Sequence, residues 1–102
     1  MNAHVVQHPE GSVTLSAAAL TQLVVQAAEQ VDGARVRRPR RALDVEISGE
    51  RARVSLELTA RYGTVLPELA REVQERVADA VERMCGVGVD AVDVAIEELD
   101  GR

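Results

Sequence analysis

The stretch Arg61-Tyr-Gly-Thr-Val-Leu-Pro-Glu-Leu-Ala-Arg-Glu-Val-Gln-Glu-Arg-Val-Ala-Asp-Ala-Val-Glu-Arg-Met-Cys-Gly86 specifies one long amphipathic helix and both of its ends. Leu66, Leu69, Val73, Val77, Ala80 and Met84 recur at steps of three and four, so they form an apolar stripe that must lie on something. The other face offers Glu72 with Arg76, Arg71 with Glu75 and Asp79 with Arg83, each pair four apart on a solvated surface. Pro67 suits a first helical turn, where its missing N–H costs nothing, and it drives Leu66 toward extended geometry. Gly86 can adopt the left-handed conformation that stops a helix. The spacing therefore predicts a helix from Pro67 to Cys85.

Working upstream, the clearest hairpin precedes this helix. Leu43, Val45 and Ile47 alternate with Asp44, Glu46 and Ser48, and Val54, Leu56 and Leu58 alternate with Arg53, Ser55, Glu57 and Thr59. A two-residue loop at Gly49-Glu50 sets Ser48 opposite Arg51, Val45 opposite Val54 and Leu43 opposite Leu56. Both apolar rows then share one face, and Glu46 faces Arg53 on the other.

Before the hairpin, residues 34–41 carry five arginines in eight positions, Arg35, Arg37, Arg38, Arg40 and Arg41, around Pro39. Pro39 argues against a helix or a central strand. One reading is a solvated, self-repelling loop in which Val36 pairs briefly at a sheet edge. The other is an anion-seeking patch for lipid head groups, nucleic acid or an acidic partner. Residues 33–61 hold eight Arg against four acids, while the rest of the chain holds four Arg against thirteen acids. The molecule is therefore dipolar rather than basic, an asymmetry that also suits head-to-tail association.

Farther upstream, Ser16 is placed to cap a first helix. Leu20, Leu23, Val24, Ala27, Ala28 and Val31 give its stripe, and Asp32-Gly33 ends it. Ser12 to Ser16 alternates like a short strand, and residues 1–10, with His4, His8 and Pro9, read as a flexible tail. A His pair four apart binds metal from a helix, which Pro9 and Gly11 disfavour. Downstream of the long helix, Val92, Val94 and Ile96 alternate with Asp93, Ala95 and Glu97 in a last strand over 87–97, and 98–102 is a polar tail.

The order is β-α-β-β-α-β over one domain, residues 11–97. Two helix stripes are available to cover one face of one mostly antiparallel sheet, so the expected class is a two-layer α+β sandwich, with right-handed crossovers giving a ferredoxin-like arrangement. The other face would display Asp44, Glu46, Arg53, Ser55, Glu57, Thr59 and Asp93. The core must be aliphatic, because the chain has one Tyr and neither Phe nor Trp.

Chemistry is conspicuous by what is missing from the sequence. There is no Gly-rich phosphate loop, no zinc-spaced Cys pair, no His inside the folded part to serve as a base and no Ser with a His partner. No catalytic, cofactor or metal residue is assigned. Against nucleic acid stand the net charge of -5 and the lack of stacking rings. Cys85, alone in the chain, cannot form an internal disulfide, which fits a reducing compartment. No stretch reaches the roughly 20 apolar residues of a membrane span and no signal segment opens the chain, so the expectation is a cytoplasmic protein.

Tyr62-Gly63, then Pro67, Val73-Gln74-Glu75-Arg76-Val77, Ala80-Val81, Met84 and Gly86-Val87, resemble the alkaline shock protein family of Gram-positive cell-envelope stress proteins. Residues 11–16, Val31-Asp32-Gly33 and 89–96 resemble that family's opening strand, first helix end and closing strand, so the resemblance spans about residues 11–97. The chain departs from longer members at 33–43, where the arginine segment replaces a Gly-rich insertion. The resemblance implies a non-catalytic cytoplasmic scaffold, held at the membrane by a small anchor protein and able to associate with itself or paralogues. Other relatives imply control of acetyl-CoA carboxylase. Of the motif residues, Gly63 is expected to hold a backbone conformation closed to other side chains, and Tyr62 to act as a packing wedge.

Overall fold

The computed structural model describes residues 4–8, 11–37 and 43–98, and the side-chain surroundings of 16–37 and 43–98 among them. In chain order the elements are β1 (His4–His8), β2 (Gly11–Leu15), α1 (Ala17–Glu29), β3 (Ala34–Val36), β4 (Asp44–Ser48), β5 (Arg51–Ala60), α2 (Leu66–Cys85) and β6 (Gly88–Glu98).

β5 is the spine of the main sheet. Its alternation buries Ala52, Val54, Leu56, Leu58 and Ala60, none more than 2% exposed, and turns Arg51, Arg53, Ser55, Glu57 and Thr59 to the opposite face. The hairpin forms in the register that the two-residue loop requires, with Ser48 opposite Arg51, Glu46 opposite Arg53 and Val45 opposite Val54. β3 also pairs antiparallel with β5, Val36 opposite Leu58. Between that pair and Asp44 opposite Ser55, the edge uses seven residues where β5 uses two. β3 and β4 are thus one edge strand split by five surplus residues, 38–42, which lie outside the described residues. A loop with Val36 briefly at an edge is what the sequence led us to expect; the pairing runs through Arg37, whose N–H donates to the Glu57 carbonyl at 2.8 Å.

β6 corrects the ferredoxin-like expectation. It lies directly beside β5 and parallel to it, Val54 opposite Val92 and Leu58 opposite Ile96, with no strand between them. The strand expected to fill that place, β2, instead pairs with β1 in a separate two-stranded sheet. Residues 4–8, assigned to a tail from the sequence, are that second strand; Val5 and Val6 have the β-branched side chains that favour extended backbone. The class remains α+β, with two of the three pairings in the main sheet antiparallel.

Both helices cover the apolar face of this sheet. Ser16 caps α1, its hydroxyl accepting from the Ala19 N–H at 3.0 Å. Leu20, Val24, Val25, Ala27 and Ala28 are buried, while Leu23 is only half-buried. On α2 the buried positions are Leu69, Val73, Val77, Val81 and Cys85. Every fourth residue is taken, so the stripe drifts relative to the expected one: Val81 and Cys85 occupy the inner line, and Met84 is 52% exposed. Among the described residues no polar or charged side chain is buried.

Gly86 closes α2 with φ +69°, its N–H bonded to the Glu82 carbonyl at 3.0 Å. A Cβ there is strained by the left-handed backbone, so Gly86→Ala should lower stability by about 1 kcal/mol, and Gly86→Asn by less. Urea midpoints measure this, and an Ala variant as stable as the parent would contradict the cap.

Burial pushes the Cys85 thiol above its ordinary range. The unfolded thiol ionises near pH ~8.5. The folded state thus carries no penalty from this group below that value and loses stability as pH rises through it. Native protein at pH 8 should alkylate with iodoacetamide at least tenfold more slowly than in urea; equal rates would place Cys85 at the surface.

Candidate functional site

The face of the sheet away from the helices is ionic. Strand register arranges its side chains in rows across β3/β4, β5 and β6: Arg35, Thr59 and Glu97; Arg37, Glu57 and Ala95; Asp44, Ser55 and Asp93; Glu46, Arg53 and Ala91. Arg37 closes on two strands at once, its Nη1 3.1 Å from Glu97 Oε2 and 4.0 Å from Glu57 Oε1. Arg53 turns from Glu46, its expected partner, toward Asp93 at 3.9 Å. Arg51 bonds Asp90 through Nε at 2.6 Å, and that hydrogen bond raises the guanidinium pKa further. These pairs are all about half exposed, so each fixes geometry more than it adds stability. On α2 only Asp79 and Arg83 pair, at 2.6 Å, of the three spacings available.

The arginine cluster is therefore divided. Arg35 and Arg37 sit on the open face, Arg37 already engaged by carboxylates; Arg38, Arg40 and Arg41 lie outside the described residues.

The Tyr62-Gly63 motif joins β5 to α2 at the end of the sheet where β5 and β6 both finish. Gly63 holds φ +88° with no atom near a would-be Cβ, so the backbone angle and not crowding selects glycine. Its N–H reaches Glu98 Oε2 at 3.3 Å. Arg61 bonds Asp32 at 2.8 Å and its N–H bonds the Gly33 carbonyl at 3.0 Å, tying the end of α1 to the same corner. Pro67 lies in the first turn of α2, as expected. Tyr62, expected as a wedge, is 67% exposed, and Val65 is 57% exposed. A shallow recess of about 420 Å³ curls round the β6 edge, lined by Ser55, Glu57, Gln74, Val92, Asp93 and Ala95 among others. No three metal-ligating side chains converge among the described residues.

Compared with known proteins, residues 34–100 match the model of the alkaline shock protein 23 family, described by a cell envelope-related function. The chain belongs to that family. The matched segment opens at β3 and runs through β6, so the family's pattern resides in the main sheet and α2. No curated protein sequence matches significantly. Among solved structures, a histidine variant and a copper form of MamM-CTD each align at TM-score 0.55 and 22% identity, over 83% of this chain and 100% of theirs. A cadmium form aligns at TM-score 0.54 and 24% identity, over 81% of this chain and 96% of its own. At that identity the likeness is one of fold. For this alkaline shock family member it adds nothing about ligands or partners.

Proposed function

We propose that the protein is a non-catalytic scaffold of the cell-envelope stress response, working on the cytoplasmic side and recruited to the membrane by a small anchor protein. Membership of an envelope-related family carries this reading. The surfaces described above support it: the interior is aliphatic, and what faces solvent is an ionic lattice, an exposed ring and two sheet edges. Such surfaces bind proteins through geometry and charge pattern. The copper and cadmium bound by MamM-CTD are not carried over, since no matching ligand cluster occurs among the described residues. No helix of the described residues is long and apolar enough to cross a membrane. The arginines Arg35, Arg37, Arg38, Arg40 and Arg41 are proposed to contact the partner, and the scaffold associates with itself.

Cross-linking in the native cell followed by fractionation tests this. The protein should be recovered with a small membrane protein and should leave the membrane fraction when that protein is deleted. Uniform distribution in cells that retain the anchor would contradict it. Replacing all five arginines by Gln should weaken that recovery; unchanged recovery removes the arginine assignment alone.

A further inference from the structure

We infer that the outer edge of β6 takes up, as an added strand, an extended segment of a partner protein in which Arg or Lys alternates with apolar residues. The inference rests on the scaffold reading above in taking the occupant to be protein, and it says where and by what chemistry that protein is held. β6 pairs with β5 along its length, and on its other side no strand lies among the described residues. An open edge of this kind is a template for another strand.

α2 covers only the first half of that edge. Glu82 Oε2 accepts from the Val89 N–H and Gln74 Nε2 donates to the Val92 carbonyl, both at 3.1 Å. Val92, Val94 and Ile96 share the core face, opposite Val54, Leu56 and Leu58, and residues on one face of a strand direct their backbone groups to the same edge. Val94 and Ile96 therefore present N–H and C=O outward, and no side chain bonds to them among the described residues. Their own side chains pack on the core yet stay half-buried. A neighbouring strand would complete both the ladder and the burial.

Charge selects the occupant. β6 carries Asp90, Asp93, Glu97 and Glu98 and no base. Three of these carboxylates are engaged within the fold: Asp90 bonds Arg51, Glu97 bonds Arg37, and Glu98 accepts from the Gly63 N–H. Asp93 is not, since Arg53 stays 3.9 Å away, too far for a hydrogen bond, and its side chain is 64% exposed. Its row across the sheet, Asp44, Ser55 and Asp93, holds two carboxylates and no base. Next on the same face comes the small, exposed Ala95, and the recess there is lined by Glu57 and Asp93 with no base among its walls. A strand laid beside β6 sets alternate side chains next to Asp93, Ala95 and Glu97, where cations pair favourably and a long one passes over Ala95 into the recess. Its remaining side chains meet Val94 and Ile96, which favours apolar residues there. Neither edge of a second copy's main sheet has this character. Its β6 would bring the same four carboxylates, its β4 carries Asp44 and Glu46 without a base, and in β3 the Val36 N–H is already taken by Glu29 Oε2 at 3.0 Å.

NMR hydrogen exchange on the full chain tests this, with a short capped peptide alternating Arg with Val as the probe. At millimolar peptide the Val94 and Ile96 amides should slow at least about tenfold. A peptide of the same composition with its arginines and valines in two blocks should bind about fivefold more weakly, and one alternating Glu with Val should leave both amides unchanged. Asp93→Asn together with Glu97→Gln should weaken binding of the alternating Arg peptide about tenfold, relative to Glu72→Gln with Glu75→Gln, which removes the same charge from exposed positions on α2. Absence of binding, binding that leaves either amide unprotected, equal affinity for the alternating and block peptides, or equal effects of the two double variants overturns the inference. Protection of both amides by raising the concentration of the chain alone gives the edge to a second copy and overturns it as well. None of these results bears on recruitment by the anchor, which fractionation decides.

Discussion

Val77→Asp should abolish cooperative folding at neutral pH, while Met84→Asp, on the same helix seven residues away, should leave stability within about 0.5 kcal/mol of the parent. Val77 is fully buried between α2 and the sheet, and Met84 is 52% exposed. A carboxylate at 77 would enter a core that contains no buried polar group among the described residues, so it would have no partner. An unpaired buried charge costs more than about 4 kcal/mol, comparable to the whole stability of a small domain. The sign of its pH dependence follows. The buried acid's pKa is raised above its unfolded value near ~3.9, so the penalty vanishes below that value and grows as pH rises through it. Partial refolding of the Val77→Asp variant near pH ~4, seen by circular dichroism, is the expected signature. A Met84→Asp variant as destabilised as Val77→Asp would return the stripe to the phase that steps of three and four suggest, which buries both residues.

Leu58→Ala should cost about 3 kcal/mol, enough to lower the midpoint of thermal unfolding by roughly 12–20 °C. Leu58 is fully buried on the central strand, flanked by Val36 on one side and Ile96 on the other. With no Phe or Trp in the chain and Tyr62 at the surface, there is no ring in the core to collapse into the space. Thr59, its neighbour on the ionic face, gives the contrast: Thr59→Ala should cost under about 1 kcal/mol. Urea titrations with unchanged m-values would measure both. Equal costs at 58 and 59 would mean that β5 does not divide a dry face from a wet one.

The hairpin and the two helices are legible in the sequence because each rests on a short-range rule. Alternation and loop length together permit one register between β4 and β5, and Ser16 and Gly86 mark helix ends by local hydrogen bonds and backbone angle. What depends on long-range placement is less legible. The neighbour of β6 is chosen by how α2 lies on the sheet, and no pattern within β6 distinguishes a parallel neighbour at β5 from a strand farther off. The split edge left a trace: Ala34 and Val36 alternate with Arg35 and Arg37, which is strand periodicity, masked by the arginines that follow. The apolar residues of α2 permit a stripe with steps of three as well as four; the helix keeps to the four-residue line from Leu69 through Val73, Val77 and Val81 to Cys85, and this leaves Met84 outside.

On the surface, the residue types of the open face follow from alternation, but its ion pairs do not. Arg53 pairs with Asp93 because β6 lies on that side, and Arg37 reaches Glu97 for the same reason. Tyr62 is legible as part of a family motif and misleading as a core residue, because a lone aromatic suggests burial whereas Tyr62 is 67% exposed.

If α1 and α2 together seal one aliphatic sheet, residues 16–37 and 43–98 behave as a single cooperative unit. Native-state hydrogen exchange on the isolated chain tests that directly. Amides of β5, of α1 and of α2 from Val73 to Val81 should exchange only through global unfolding, with one shared free energy, while those of the separate β1–β2 pair, a two-stranded sheet that is marginal alone, should exchange far faster. Amides of α2 exchanging as fast as those of β1 and β2, with β5 still protected, would show that the second helix is not part of the seal.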